Sequence, residues 1–137
     1  MRRVLVDTNV LVSFLTDRDR GQQERAEELL ASAADGKLEL MVHQSVVFEL
    51  AYVLLNLYGT SPAEVRGILV ALTMLPGVRL IDELSWSEVL RIWPETFPDL
   101  ADAALAAAYR DVHADAIATF DKKFIRRLNR AGLQPAW

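Results

Sequence analysis

Short apolar runs alternate along this chain with longer segments of helical spacing, and this alternation limits the fold more than any other feature. The runs are Val4–Val6, Leu38–Val42, Val78–Ile81 and Ala114–Phe120. The spacing of apolar residues between them predicts helices over Gln22–Ala34, Ser45–Tyr58, Pro62–Leu75, Trp86–Trp93 and Leu100–Asp111. Strands that alternate with helices in this way indicate an α/β domain with a central parallel sheet.

The ends of the predicted helices support this division. Ser61 and Ser85 each precede a helix and have a Glu three residues later, which is the capping-box pattern. Gly59 and Gly77 mark helix exits. No repeat, linker or low-complexity tract interrupts the pattern, so residues 1–137 are predicted to form one domain.

Composition excludes several classes of function. The chain has no Cys, which rules out thiolate zinc sites, thiol catalysis and disulfides. We find no export signal, and polar residues interrupt the most apolar stretch, Leu40–Leu57, so a cytoplasmic protein without a membrane span is expected. The net charge is -4, so a polyanionic partner would need a local basic patch.

A polar triplet, Asp7-Thr8-Asn9, follows the first apolar run without the Gly or Pro that a turn usually has. Asp7 or Thr8 can cap a helix that starts near Asn9. Asp121 follows the last run, and it can equally cap a helix from Lys122 onward. In a parallel sheet, however, both aspartates lie at the carboxyl edge, where open α/β folds form their ligand crevice.

Two further acidic positions need explanation. Glu49 is the only formally charged residue between Leu40 and Ala63, so we expect a largely buried helix in which Glu49 is protonated, paired or bound to metal. A Glu that reaches solvent at the helix edge is the alternative. Asp99 and Asp102 share one face of a helix near Pro98 and can serve as its N-cap and first-turn acid. The small residues Ala103–Ala108 would let this helix approach the sheet and carry Asp102 into the crevice.

Taken in order, DTN after a strand, an isolated Glu49, Asp102 in DAALAAA and the TFD of Thr119-Phe120-Asp121 resemble the four-acid pattern of PIN-domain nucleases over nearly the whole chain. A stand-alone domain of this size is most similar to the VapC ribonuclease toxins of toxin–antitoxin pairs. The resemblance implies a three-layer fold with a central parallel sheet of four or five strands and helices on both faces. It also implies an RNA substrate, a cognate antitoxin and a homodimer.

The resemblance further assigns roles to individual residues. Its acidic metal-site positions are Asp7, Glu49, Asp102 and Asp121, and its supporting polar positions are Thr8, Asn9 and Thr119, with Asp99 as a cap or outer-sphere group. Oxygen ligands without Cys or His select hard cations, so Mg²⁺ or Mn²⁺ is the expected cofactor. Such an ion activates water for attack on a phosphodiester.

A basic run follows the last acid and is the local patch that an RNA partner would need. It consists of Lys122, Lys123, Arg126, Arg127 and Arg130. These cations can guide a phosphate backbone. They can also form a solvated helix with cations near its C-terminus.

Other functions remain open from the sequence. An aspartyl phosphatase of the haloacid-dehalogenase type would have a second Asp two positions after Asp7, where this chain has Asn9. A catalytically silent binding module, or a PIN nuclease outside a toxin–antitoxin pair, would keep the acids without the toxin role. Metal-dependent RNA cleavage distinguishes the enzyme from the silent module.

Overall fold

Four parallel strands and seven helices make up the fold in the computed structural model, which describes residues 1–137. The strands are β1 (Arg2–Val6), β2 (Leu38–His43), β3 (Val78–Ile81) and β4 (Ala116–Ala118). The helices are α1 (Thr8–Leu15), α2 (Arg20–Ala34), α3 (Gln44–Asn56), α4 (Pro62–Met74), α5 (Trp86–Ile92), α6 (Leu100–Asp111) and α7 (Lys122–Arg130). The predicted α/β class is confirmed, and all five predicted helices and four predicted strands are present.

The main difference from the predicted elements lies at β4. This strand is much shorter than the run Ala114–Phe120 from which it was predicted. The reason is that Phe120 donates its backbone N–H to the side chain of Asn9 instead of to a neighbouring strand. A single parallel bridge between Ile117 and Pro135 stands where a fifth strand would lie.

The order of the strands sets the position of the ligand crevice. The sheet runs β3-β2-β1-β4, with all neighbours parallel, and Val4 of β1 pairs with both Leu40 and Ala116. The chain therefore moves outward from β1 to β3 and then returns to the other side of β1. This reversal makes the carboxyl ends of β1 and β4 the topological switch point, which is where open α/β sheets bind ligands.

The same reversal distributes the helices over both faces of the sheet. Parallel crossovers are right-handed almost without exception, so connections that run in opposite directions lie on opposite faces. The packing agrees with this rule, because α1 contacts α2 and α3, α3 contacts α4, and α5 contacts α6. Phe97, before α6, also packs edge-on against Phe124 of α7. A hydrophobic cluster of 35 buried residues joins the layers.

The small side chains of α6 are buried in the hydrophobic core. Every residue from Ala103 to Ala108 is buried, and β4, with the sequence Ala-Ile-Ala, is buried as well. The first turn of α6, which contains Asp102, is thereby held near the end of β4.

Helix α3 is not largely buried, and that part of the prediction is wrong. Only Val46, Leu50 and Leu54 are buried, with some neighbours partly buried against the core, whereas Phe48 is 75% and Tyr52 63% exposed. An apolar sequence around a helix predicts burial only if partners cover every side, and in this chain one side of α3 has none. None of the helices, α3 included, is long and apolar enough to cross a membrane.

Two glycines with similar backbone angles offer a test of the packing at the other end of the sheet. Gly77 (φ +79°) leads into β3, and a Cβ placed there would lie 2.1 Å from the carbonyl oxygen of Ala33 in α2. Gly36 (φ +74°) has open space in the same position. Each Gly→Ala change incurs the left-handed backbone penalty, about 1–2 kcal/mol, but only the change at Gly77 also forces α2 away from the sheet.

We therefore expect Gly77→Ala to lower the free energy of unfolding by roughly 1–3 kcal/mol more than Gly36→Ala does, because overpacking costs about that amount. Urea unfolding of both variants measures the difference. Equal losses would show that α2 can shift without cost.

Candidate active site

Asp7 is the most firmly held acid at the switch point. Its backbone N–H donates to the carbonyl of Ala118 (2.9 Å), so the residue continues the β1–β4 ladder. Its Oδ1 accepts from the N–H of Thr8 (2.8 Å), which caps α1 as the cap interpretation predicts. Its Oδ2 accepts from Asn9 Nδ2 (3.0 Å) and from the Thr119 hydroxyl (2.8 Å). Burial raises the pKa of Asp7, and these hydrogen bonds offset part of the rise.

The DTN and TFD motifs are joined by a hydrogen-bond latch, formed by Asn9 and Thr119. Asn9 Nδ2 donates to Thr119 Oγ1 (3.1 Å), and Asn9 Oδ1 accepts from the N–H of Phe120 (2.9 Å). Thr119 Oγ1 also accepts from the N–H of Asp121 (3.1 Å). Two of the polar residues predicted to support the site, Asn9 and Thr119, therefore bind one another and fix the start of α7.

Asp121 and Asp99 both act as helix N-caps. Asp121 Oδ1 accepts from the N–H groups of Lys123 (2.9 Å) and Phe124 (3.2 Å) at the start of α7. Asp99 Oδ1 accepts from the N–H of Asp102 (3.0 Å) at the start of α6. Each cap uses one carboxylate oxygen and leaves the other without a protein donor, so capping does not prevent either residue from acting in the crevice.

Asp102 and Glu49 have no such partners. Burial, followed by the charges of Asp99, Asp7, Asp121 and Glu49, raises the pKa of Asp102 to about 7. Partial burial, followed by the charges of Asp7 and Asp99, raises the pKa of Glu49, whose side chain reaches solvent at the edge of α3. Glu49 therefore reaches solvent at the helix edge, and the charges of Asp7 and Asp99 still raise its pKa. No Lys or Arg forms a salt bridge with it.

These electrostatic contacts show that the acids converge although they come from four separate elements. Carboxylates alone raise the pKa values of Asp7, Glu49 and Asp102 by charge, and no Lys or Arg lowers them. None of the salt bridges in the structure involves a crevice acid. Uncompensated anions held this close favour a cation or protons among them.

The donor chemistry of the crevice fits a hard divalent ion. All its side-chain ligands are oxygens, and the buried Thr8 hydroxyl lies close enough to Glu49 to lower its pKa, although it makes no hydrogen bond of ordinary geometry. No three acidic side chains are close enough to chelate one ion by themselves. Mg²⁺ tolerates this spacing, because it usually keeps several water ligands and binds through one or two carboxylates. Asp7, Glu49, Asp102 and Asp121 are the residues available to hold it.

The basic run is also brought together in part. Lys123, Arg126, Arg127 and Arg130 line one shallow surface pocket on α7, whereas Lys122 does not. Phe124 and Leu128 are buried on the opposite side and anchor the helix. None of the five cations forms a salt bridge, so their charge is available to a ligand.

One positioning residue was missed in the sequence. His43 ends β2 and caps α3, the helix that carries Glu49, by accepting from the N–H of Ser45 at Nδ1 (3.2 Å). Its Nε2 lies 2.9 Å from the carbonyl of Glu83 and donates to it. A polar residue between an apolar strand and a helix is the signal that could have revealed this cap.

The raised pKa of Asp102 makes stability depend on pH. A folded-state value of about 7 against 3.8 means that the folded protein binds the extra proton, so this stability is present below about pH 4 and lost as pH rises through 7. In chelator, Asp102→Asn should therefore gain on the parent across this range. Allowing for screening of the partly exposed group, we expect a gain on the order of 1–2 kcal/mol.

Thermal and urea unfolding of both proteins at pH 4, 5.5, 7 and 8 measure this difference. The matched control is Asp17→Asn, because Asp17 is an exposed aspartate outside the crevice with no hydrogen bond or salt bridge. A difference that stays constant with pH would contradict the convergence of the acids on Asp102.

Proteins of known structure share this fold. Three solved structures have a similar fold: VapC20 of Mycobacterium tuberculosis, a sarcin-ricin loop cleaving toxin (TM-score 0.68, 19% identity, covering 95% of both chains), VapBC-1 of nontypeable Haemophilus influenzae (0.64, 19%, 96% of this chain and 95% of that one) and a protein of Pyrobaculum aerophilum (0.59, 15%, 92% and 84%). Among curated protein sequences, no significant match is found.

A family profile provides the stronger evidence. The profile described as PIN domain matches residues 4–129, which include every acidic and supporting residue of the crevice. A match of this extent, on a chain whose acids meet at the switch point of a parallel sheet, establishes that the protein belongs to the PIN domain family.

Proposed function

We propose that residues 1–137 form one nuclease domain that cuts RNA phosphodiester bonds with Mg²⁺ or Mn²⁺ and serves as the toxin of a VapBC-type toxin–antitoxin pair in the cytoplasm. The observation that supports the catalytic part is the crevice at the ends of β1 and β4, where four acids of a PIN-domain chain converge without a cation. The toxin part rests on the fold shared with VapC20 and VapBC-1.

Each acid of the crevice has a different role in this proposal. A bound divalent ion would lower the pKa of a water molecule and stabilise charge on the leaving oxygen. Asp7 supplies a carboxylate whose orientation the Asn9–Thr119 latch restricts. Asp121 keeps its Oδ1 in the α7 cap and has Oδ2 free to face the crevice. Asp102 must release its proton when a cation binds, because its pKa of about 7 leaves it partly protonated at neutral pH.

The exposed apolar surfaces agree with a protein that has protein partners. A groove between α1, α3 and α4 is lined only by apolar side chains: Leu11, Phe14, Leu15, Leu50, Ile68, Ala71, Leu72 and Leu75. The uncovered side of α3, with Phe48 and Tyr52, is a second such surface. Soluble chains seldom expose apolar patches of this kind without a partner. An antitoxin and a second copy of the chain are the two partners that we propose for them.

The first test is cleavage of cellular RNA by the purified protein. We expect fragments with Mg²⁺ or Mn²⁺, none in excess chelator, and a loss of rate of at least about a hundredfold for Asp7→Asn or Asp102→Asn, since loss of one well-placed charge-stabilising group costs on that order. Asp17→Asn serves as the control and should cleave like the parent.

Each failure has a separate meaning. Cleavage that persists in chelator would contradict metal dependence. A protein that binds RNA or a partner but never cleaves would be the silent binding module. Cleavage by a protein whose gene has no small antitoxin gene beside it would identify a PIN nuclease outside a toxin–antitoxin pair.

A second test concerns the basic run, for which we propose RNA binding by Lys122, Lys123, Arg126, Arg127 and Arg130. Replacing Arg126 and Arg127 by Gln should weaken RNA binding and reduce its dependence on salt, by about 0.7 in the log–log slope for each lost contact to a single strand. Fluorescence anisotropy with a labelled RNA over a range of KCl concentrations measures both. Arg66→Gln, on the exposed surface of α4, is the control for net charge. If the double variant behaves like this control, α7 has only a structural role.

A further inference from the structure

Arg25 of α2 lies against two aromatic rings, one of which belongs to the residue between Thr119 and Asp121 of the candidate active site. The rings of Phe120 and Trp137 are stacked, with centroids 4.8 Å apart and planes 8° from parallel. The guanidinium carbon of Arg25 lies 4.6 Å from the Trp137 ring centroid and 5.3 Å from that of Phe120. Both distances are within the range of cation–π attraction, so the two rings hold the charged group in place.

The hydrogen-bonding capacity of this guanidinium is unused. Arg25 is exposed, takes part in no salt bridge and donates no hydrogen bond to the protein. Two other arginines do have acceptors in the protein: Arg91 donates to Glu88, and Arg18 donates to the carbonyl of Asn9. An arginine held by aromatic rings with its donors free can receive an acceptor from outside the protein.

The cluster is tied to the same backbone segment that carries Asp121. Phe120 lies between Thr119 and Asp121, and its N–H is bound by Asn9. Trp137 follows an extended segment that pairs with Ile117 of β4. Ile117 donates its N–H to the carbonyl of Gln134 (2.9 Å), and its own carbonyl accepts from the N–H of Ala136 (2.8 Å). Arg25 therefore contacts the residue that precedes Asp121, and it lies on a different helix from the basic run.

The chemistry of the guanidinium selects the ligand. Its planar fork matches phosphate oxygens, and it is always charged. An approaching RNA strand would place one phosphate among the acids and neighbouring phosphates on either side of it. We infer that Arg25, held against Phe120 and Trp137, binds a backbone phosphate of the RNA strand other than the one that is cut. This role rests on the proposed ribonuclease function and adds a contact that the basic run does not supply.

The stacked rings act as positioning groups for this contact. A free arginine side chain must be ordered when it binds, whereas one already held by two rings loses less freedom. Removal of the indole should therefore weaken RNA binding even though Trp137 need not touch the RNA itself. A phenylalanine at the same position would keep an aromatic face for the guanidinium.

The test measures binding of a short, labelled, mixed-sequence single-stranded RNA to proteins carrying Asp102→Asn, in chelator, so that the RNA stays intact. Arg25→Gln should weaken binding on the order of tenfold, as expected for a charge-assisted hydrogen bond, and lower the salt slope by about 0.7. Arg20→Gln is the matched control: it removes the same charge from the same helix, at an exposed residue with no aromatic neighbour, and should change neither quantity.

Two further variants separate positioning from general damage. Trp137→Ala should weaken binding like Arg25→Gln, Trp137→Phe should restore most of it, and thermal unfolding should show that all variants stay folded. In cleavage assays with Mg²⁺, Arg25→Gln should raise KM and leave kcat unchanged, because the contact forms equally in the bound ground state and the transition state.

The inference is overturned if Arg25→Gln binds RNA as tightly as Arg20→Gln while the parent still cleaves. It is equally overturned if Trp137→Ala leaves binding unchanged. A parent that does not cleave RNA with Mg²⁺ would instead refute the proposed function, so the two failures are distinguishable.

Discussion

The hydrogen-bond latch between Asn9 and Thr119 is the interaction on which the rest of the site depends. It joins the ends of the two strands that meet at the switch point, and both of its side chains donate to Oδ2 of Asp7. The same contacts shorten β4 and start α7 with Asp121 as its cap. The latch is mostly buried, where a hydrogen bond left unmade is costly, so the ends of β1 and β4 cannot separate without a substantial loss of free energy.

The acids of the crevice lower the stability of the folded protein. Burial and mutual repulsion raise the pKa values of Asp7, Glu49 and Asp102, and no basic side chain relieves them. The hydrophobic cluster beneath the crevice, with the closely packed alanines of α6, must hold these groups together against their repulsion. Holding these acids together therefore lowers the stability of the fold, which is the relation between stability and function found at many active sites.

The sequence predicted those features that depend on local patterns or on a rule of topology. Periodicity located the strands and helices, and the carboxyl-edge rule predicted that Asp7 and Asp121 lie close together. It did not predict the exposed side of α3, because Phe48 and Tyr52 have the same residue types as core positions and only the arrangement of neighbours decides which side is covered. The contacts of His43 with Glu83 and of Arg25 with Trp137 were also missed, since each joins residues far apart in the chain.

The pairing of β1 with β4 has a consequence for the synthesis of the protein on the ribosome. Asn9 and Thr119 are separated by 110 positions, and the ribosome makes the chain from the N-terminus at roughly 5–20 residues per second. The first strand and every residue of the apolar groove are therefore synthesised well before Thr119 and Asp121. A growing chain of this kind contains the residues of the proposed partner groove while the crevice is still incomplete, so the proposed antitoxin would have its docking residues before the proposed activity could arise.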